Sequence, residues 1–241
     1  MARELPAEVT SALLRRERLA QVGRLLKGTV HNISGAMQML RLPLDLMELR
    51  LAQGGVQDIS SKLAAMQQGM TRLAQEVDLL GARSAHNSDV RATLLDLSRL
   101  AEQELAFWRA DMFFKHEAQL EKDLPLGGRP VRASYADVAL AFNALVANAL
   151  DSLRDSGQNG LAVGHVQRDG QALLTVADQG PGPRPEMIPM MFEPFAGDKE
   201  PPHDGLGLYL ARAALTPWGG GVAWRSQPRP HFELALPLAS A

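Results

Sequence analysis

Cysteine is absent from all 241 residues, which excludes disulfides and thiolate metal sites. An excess of charge of either sign is lacking too. Lys and Arg number 25 and Asp and Glu 27, leaving a net −2, which argues against a dedicated nucleic-acid binder. No run of about 18 uncharged apolar residues is present, so no membrane-spanning segment is expected. The N-terminus, MARELPAEVTSALLRRERL, has charges throughout and no apolar signal core. These absences together predict a cytoplasmic chain that binds neither nucleic acid nor membrane. Hydrophobic residues make up 46% and charged residues 22%, as in globular proteins, and the length allows one large domain or two ordinary ones.

The averages hide two unlike halves. Residues 1–86 hold 11 Lys and Arg against 8 Asp and Glu, with 7 of the 21 Gly and only 2 of the 15 Pro. Residues 87–241 hold 14 against 19, and the remaining 14 Gly and 13 Pro. The first half is composed for helix; the second has the Gly and Pro punctuation of a mixed α/β domain. The small polar stretch Ser84-Ala85-His86-Asn87-Ser88 predicts a hinge, with domains at 1–86 and 87–241.

Two heptad-like series fill the first half. Val22, Leu26, Val30, Ile33, Met37, Leu40 and Leu44 form one; Val56, Ile59, Leu63, Met66, Met70, Leu73, Val77 and Leu80 form the other. Their mean spacing of about 3.5 is that of a bundle seam. Gln53-Gly54-Gly55 is expected to end the first helix, because glycine adopts the left-handed C-cap conformation. Pro43 is expected to kink that helix without ending it. Two helices leave apolar surface bare, so a second hairpin is expected to complete a dimeric four-helix bundle. His31 follows Val30 by one position, about 100° around the helix, and is expected on the exposed face. Gly35, nearby, would let another molecule approach closely.

The second half reads as a helix over 89–110, a strand over Lys115–Glu121, a helix over Ser134–Ser156, and strands over Leu161–Val166, Leu173–Ala177, Val222–Ser226 and Phe232–Leu236. Its motifs suit a nucleotide. Asn148, on a helix, offers a neutral oxygen to Mg²⁺. Asp178, at a strand end, can accept from an exocyclic adenine amine. Gly180 and Gly182 permit tight turns and close backbone approach. Gly205-Leu206-Gly207-Leu208 opens a helix whose N-terminal amides suit phosphate.

This set, in this order, resembles the ATP-binding catalytic domain of sensor histidine kinases, within the Bergerat-type ATPase and kinase superfamily. Asn148 falls in the N box, as NALDSL; Asp178, Gly180 and Gly182 match the G1 box. Phe192-Glu193-Pro194-Phe195 matches the F box and Gly205-Leu206-Gly207-Leu208 the G2 box. Lys199 stands where the family's lid often has a lysine near the phosphates. The first half is similar to the dimerisation and phosphoacceptor hairpin, with GRLLKGTVHN (residues 23–32) as its H box, and the resemblance runs over residues 15–237.

The resemblance implies an α plus α/β architecture: a helical hairpin forming a dimeric four-helix bundle, then an α/β sandwich of the histidine-kinase ATPase type. It implies ATP as substrate, Mg²⁺ at Asn148, and ATP contacts at Asn148, Asp178, Gly180, Gly182, Lys199, Gly205, Leu206 and Gly207. His31 becomes the phosphoacceptor and Asn32 its neighbour in catalysis. The partners implied are a homodimer mate, a response-regulator receiver domain and an upstream sensor protein supplying input. The alternative from the same fold is a histidine phosphotransfer adaptor with little or no autokinase activity.

The chain departs from the family pattern at five positions. Asn32 replaces the usual Asp or Glu after the histidine; it can accept a hydrogen bond but cannot take a proton. Gly35 replaces a Thr or Asn that positions water, and Ala36 replaces a common Pro. Ala144 stands where kinases often have a second Asn, with Asn143 one place off, and where other Bergerat ATPases have a catalytic Glu. His203 replaces the first glycine of the G2 run. Slow autophosphorylation and weak phosphatase activity are the expected consequences.

Overall fold

A computed structural model describes residues 4–52, 59–88, 90–196, 204–227 and 229–240. The chain divides into two compact units. One is Val22–Ala85; the other joins His86–Ala241 to the residues up to Gln21. The division near residue 85 lies beside the expected boundary, but the N-terminal stretch goes with the second unit rather than the hairpin.

Helix α1 (Ala7–Ala52) runs through Pro43, and α2 covers Ile59–Ser88. The expected stop at Gln53-Gly54-Gly55 lies outside the described residues. The expected hinge, Ser84–Ser88, has helical backbone. No Gly or Pro interrupts that stretch, so the preceding helix propagates through it.

Within Val22–Ala85 the helical pair packs closely at Gly69, where a Cβ would lie 3.1 Å from both the Ala36 carbonyl and Met39 Cβ. The predicted seam separates into two rows. Ile33, Leu40, Ile59, Met66, Leu73 and Leu80 are half-buried. Leu26, Val30, Met37, Leu44, Leu63, Met70 and Val77 remain exposed, from 45% for Leu44 to 58% for Met70. Two helices cover one stripe of each other, and the second row of each heptad is left over. The side chains of Val22 and Val56 lie outside the described residues.

The second unit is built on a five-stranded mixed sheet. Its strands are β2 (Gln119–Asp123), β4 (Gly160–Arg168), β5 (Gln171–Asp178), β6 (Gly221–Arg225) and β7 (His231–Pro237), in the order β2-β4-β5-β7-β6. The β2–β4 pair is parallel and the others antiparallel. A separate two-stranded sheet pairs β1 (Ala92–Leu95) with β3 (Val131–Ser134). Helices α3 (Leu97–Trp108), α5 (Tyr135–Ser156) and α6 (Gly207–Leu215) pack against the large sheet, and α4 (Met112–His116) connects α3 to β2.

Two expectations need correction. The helix expected over 89–110 is shortened, because Ala92–Leu95 pairs with Val131–Ser134 and Asp96 then caps α3 through the Ser98 and Arg99 amides. The strand expected from Lys115 begins four residues later, because Asp111 accepts from the Phe114 amide and starts a short helix.

Helix α5 is the centre of the unit. Ser134 caps its start and Gly157, at φ +68°, ends it in the left-handed conformation. By length and composition it could cross a membrane, but 78% of its most apolar window is buried inside this fold.

Candidate functional site

Helix α5 meets the end of β5 at Asp178, and α6 packs along α5. β5 ends at Asp178, whose carboxylate is half-buried. Its Oδ1 accepts from the Gly180 amide at 2.8 Å and from the Ser152 hydroxyl at 2.9 Å. Ser152 lies four residues after Asn148 on α5, so the two share one helix face. The Asn148 amide is therefore carried one turn along from the serine that touches Asp178.

Gly180 is required where it stands. A Cβ there would fall 2.0 Å from Ser152 Oγ and 2.6 Å from Asp178 Oδ1. Gly182 has φ +71°, a conformation L side chains rarely adopt. Gln179 closes the turn: its amide donates to the Gly160 carbonyl at 3.0 Å and its Oε1 accepts from the Gly160 amide at 3.2 Å.

The F box and the start of α6 sit together. Phe192 packs edge-on against Phe232, with ring centroids 6.5 Å apart. Arg212 on α6 donates to the Phe192 carbonyl at 3.1 Å and lies 5.6 Å from the centroid of its ring. Phe195 is exposed and holds φ +62°. Gly205 has φ +66°, and a Cβ on it would come within 2.9 Å of backbone atoms of Phe195 and Ala196. Asp204 accepts from the Leu206 amide at 3.1 Å, just before α6 begins at Gly207.

Asn148, Asp178, Gly180 and Gly182 thus fall on adjoining elements, and Gly205 and Gly207 mark the start of α6. Leu206 differs from expectation: its side chain is 7% exposed and joins Leu140, Tyr209, Leu210 and Ala214 in a core cluster. Its place in the site is limited to the backbone, because an apolar side chain beside α6 and α5 is more stable buried. Lys199 and His203 lie outside the described residues. Asn143 faces the interior instead of a ligand. It accepts from Trp108 Nε1 at 2.7 Å and donates to Glu104 Oε2 at 2.5 Å. His31 belongs to the other unit and is exposed on α1, next to half-buried Asn32. A Cβ at Gly35 would meet nothing within 4 Å.

Ser152, Gln179 and Arg212 were not singled out by the sequence. Only Ser152 carried a signal, its i+4 spacing from Asn148. The cradle around Gly180 and the acceptor-only Asp178 suit a purine nucleotide with an exocyclic amine. Among the described residues no cluster of three or more His, Asp or Glu could hold a metal. One neutral Asn oxygen fits Mg²⁺, which keeps several waters and binds through substrate phosphates.

The fold of the sheet unit is the one found in the ATPase domains of histidine kinases. Residues 134–240, within the sheet unit, match the family described as histidine kinase-, DNA gyrase B-, and HSP90-like ATPase. It is 27% identical over 222 residues to the C4-dicarboxylate transport sensor protein DctB of Rhizobium meliloti (strain 1021), covering 91% of this chain and 35% of that protein. It is 27% identical over 234 residues to the two-component sensor PprA of Pseudomonas aeruginosa, covering 92% of this chain and 25% of that one. The chain therefore spans about a third or less of the length of these relatives. The catalytic domain of histidine kinase ThkA superposes with a TM-score of 0.54 at 19% identity, over 62% of this chain and 99% of that one.

Proposed function

We propose that this chain is a protein histidine kinase core that uses ATP to phosphorylate His31 and passes the phosphoryl group to an aspartate of a response-regulator receiver domain. The observation that carries this reading is the Asp178 carboxylate, held at Oδ1 by Ser152 and Gly180 at the end of β5, one turn along α5 from Asn148. The adenine amine donates to Asp178, and backbone amides at the start of α6 meet the phosphates. Asn148 would hold Mg²⁺, which would supply charge neutralisation at the phosphates.

Nε2 of His31 attacks the γ-phosphorus, the N–P bond forms, and the bond to the leaving ADP oxygen breaks. The imidazole proton departs to water, because Asn32 accepts a hydrogen bond but not a proton. The rest of catalysis is positioning. The exposed row Val30, Met37, Leu44, Leu63, Met70 and Val77 supports a homodimer through the hairpin. The reaction takes place in the cytoplasm.

Asn32, Gly35 and Ala144 favour a second reading, a phosphotransfer adaptor that keeps the fold with little autokinase activity. Incubation with γ-labelled ATP separates the two. Base-stable, acid-labile label on the wild type, lost in His31→Gln while ATP binding persists, is the expected result. Nucleotide binding without label would select the adaptor. Acid-stable label retained in His31→Gln would refute histidine as the acceptor.

A further inference from the structure

Hydroxyls inside helices usually bond back to the carbonyl one turn earlier. Thr29 does so to Leu25, Thr71 to Gln67 and Ser156 to Ser152, at distances of 2.7 to 3.0 Å. Ser152 does not. Its hydroxyl leaves α5 and donates to Asp178 Oδ1. The space it occupies is one that only glycine at position 180 leaves open.

A hydroxyl has one proton to give, and here it goes to the carboxylate. Oδ1 then accepts twice, from Ser152 and from the Gly180 amide. The terminal torsion of an aspartate is otherwise broad, and a single amide donor would leave the carboxylate free to rock about it. Two donors from different elements, α5 and the turn after β5, hold it still. The second oxygen, Oδ2, is an acceptor with no proton of its own. It welcomes an amine and repels a carbonyl.

Resting on the ATP-site reading above, we propose that Ser152 is a specificity-determining positioning residue: it holds Oδ1 so that Oδ2 is aimed at the 6-amino group of adenine. A guanine, with a carbonyl at that position, meets acceptor against acceptor.

The test is a binding cycle on the full chain with three nucleotides: ATP, purine riboside triphosphate, which lacks the amine, and GTP. Wild type is expected to prefer ATP over the other two. Ser152→Ala is expected to lose about tenfold in ATP affinity, the value of one hydrogen bond to a charged group. Its affinity for purine riboside triphosphate is expected to stay unchanged, so the ratio collapses. Ser152→Thr keeps the hydroxyl and is expected to keep the ratio; Ser152→Cys, a weak donor, carries the same test if the alanine variant fails to fold. An equal loss for ATP and purine riboside triphosphate would show a merely structural serine and overturn the proposal, as would a threonine variant with no preference. Wild type binding none of the three would instead overturn the nucleotide-site reading itself.

Discussion

The N-terminal part of α1 gives the sharpest test of the packing. Arg18 pairs with Oδ1 of Asp137, and their side chains are 15% and 11% exposed. Asp137 lies in the first turn of α5, where the helix dipole already favours an anion. Its Oδ2 accepts from Trp218 Nε1 at 3.0 Å. Around this pair, Gln21 donates to the Leu140 carbonyl at 3.1 Å in a buried position. The Tyr209 hydroxyl accepts from the Leu5 amide at 3.3 Å and pairs with Thr10 at 2.9 Å. Leu5, Leu13 and Leu14 pack on the cluster containing Leu206.

Arg18→Ala leaves a mostly buried carboxylate short of one partner. Breaking a fully buried pair costs 3–5 kcal/mol; residual exposure and the remaining Trp218 bond reduce that here to about 2 kcal/mol. That is about a 30-fold shift in the docking equilibrium of residues 5–21. Hydrogen exchange along residues 7–21, with and without the substitution, reads the shift directly. A cycle with Asp137→Asn isolates the pair. Unchanged exchange in Arg18→Ala, or the same loss in the Asp137→Asn background, would refute the assignment of the ion pair as the anchor.

The other expectations are briefer. Gly205→Ala combines φ +66° with a Cβ contact under 3 Å to backbone, and is expected to cost about 1–3 kcal/mol, seen as a melting temperature several degrees lower and weaker ATP binding. His165 is buried, with Nδ1 2.7 Å from the Ser98 hydroxyl, which itself donates to the Pro125 carbonyl; the ring therefore donates from Nδ1. Burial lowers its pKa below the ordinary 6.5, with nearby Asp96 opposing. The unfolded chain then binds more protons in that interval, so stability is full above 6.5 and falls as pH drops toward the folded pKa. Thermal melts across this range are expected to show that slope in wild type and not in His165→Gln. Met37→Glu with Met70→Glu places charges on the exposed apolar row and is expected to yield a monomer in sedimentation; an unchanged wild-type dimer would put the interface elsewhere.

Much of the sheet unit was legible because its signals are local. Ser134 caps α5, Gly157 ends it, Gly182 and Gly205 hold positive φ, and Gly180 has no room for a Cβ. What escaped depends on distant partners. The strand over Ala92–Leu95 exists only because Val131–Ser134 comes beside it, some forty residues later, and its apolar residues run into those of α3. Asn143 looks like a displaced N-box asparagine. Trp108 and Glu104, both from α3, decide instead that it belongs to a buried polar network. Leu206 looked like a phosphate-loop residue by position, but its side chain joins the core. The hairpin series had the right period, yet periodicity cannot say which row a single chain covers and which it leaves bare.

That bare row separates the two units energetically. In Val22–Ala85 the buried positions among the described residues are Leu25, Thr29, Ala36, Pro43 and Gly69, none of them large enough in number or volume to make a core. The sheet unit, by contrast, buries Phe142, Leu145, Leu150, Leu174, Leu210 and Leu234 almost completely. Isolated helices are marginal, and their stability comes mainly from packing an apolar face. In the proposed homodimer, the hairpin with its second row exposed draws that packing from a second copy, and the helix bearing His31 is part of it. On the proposed reading, nucleotide binding needs only the sheet unit. ATP affinity per chain should therefore be independent of protein concentration, while phosphorylation of His31 per chain rises with concentration until the dimer saturates.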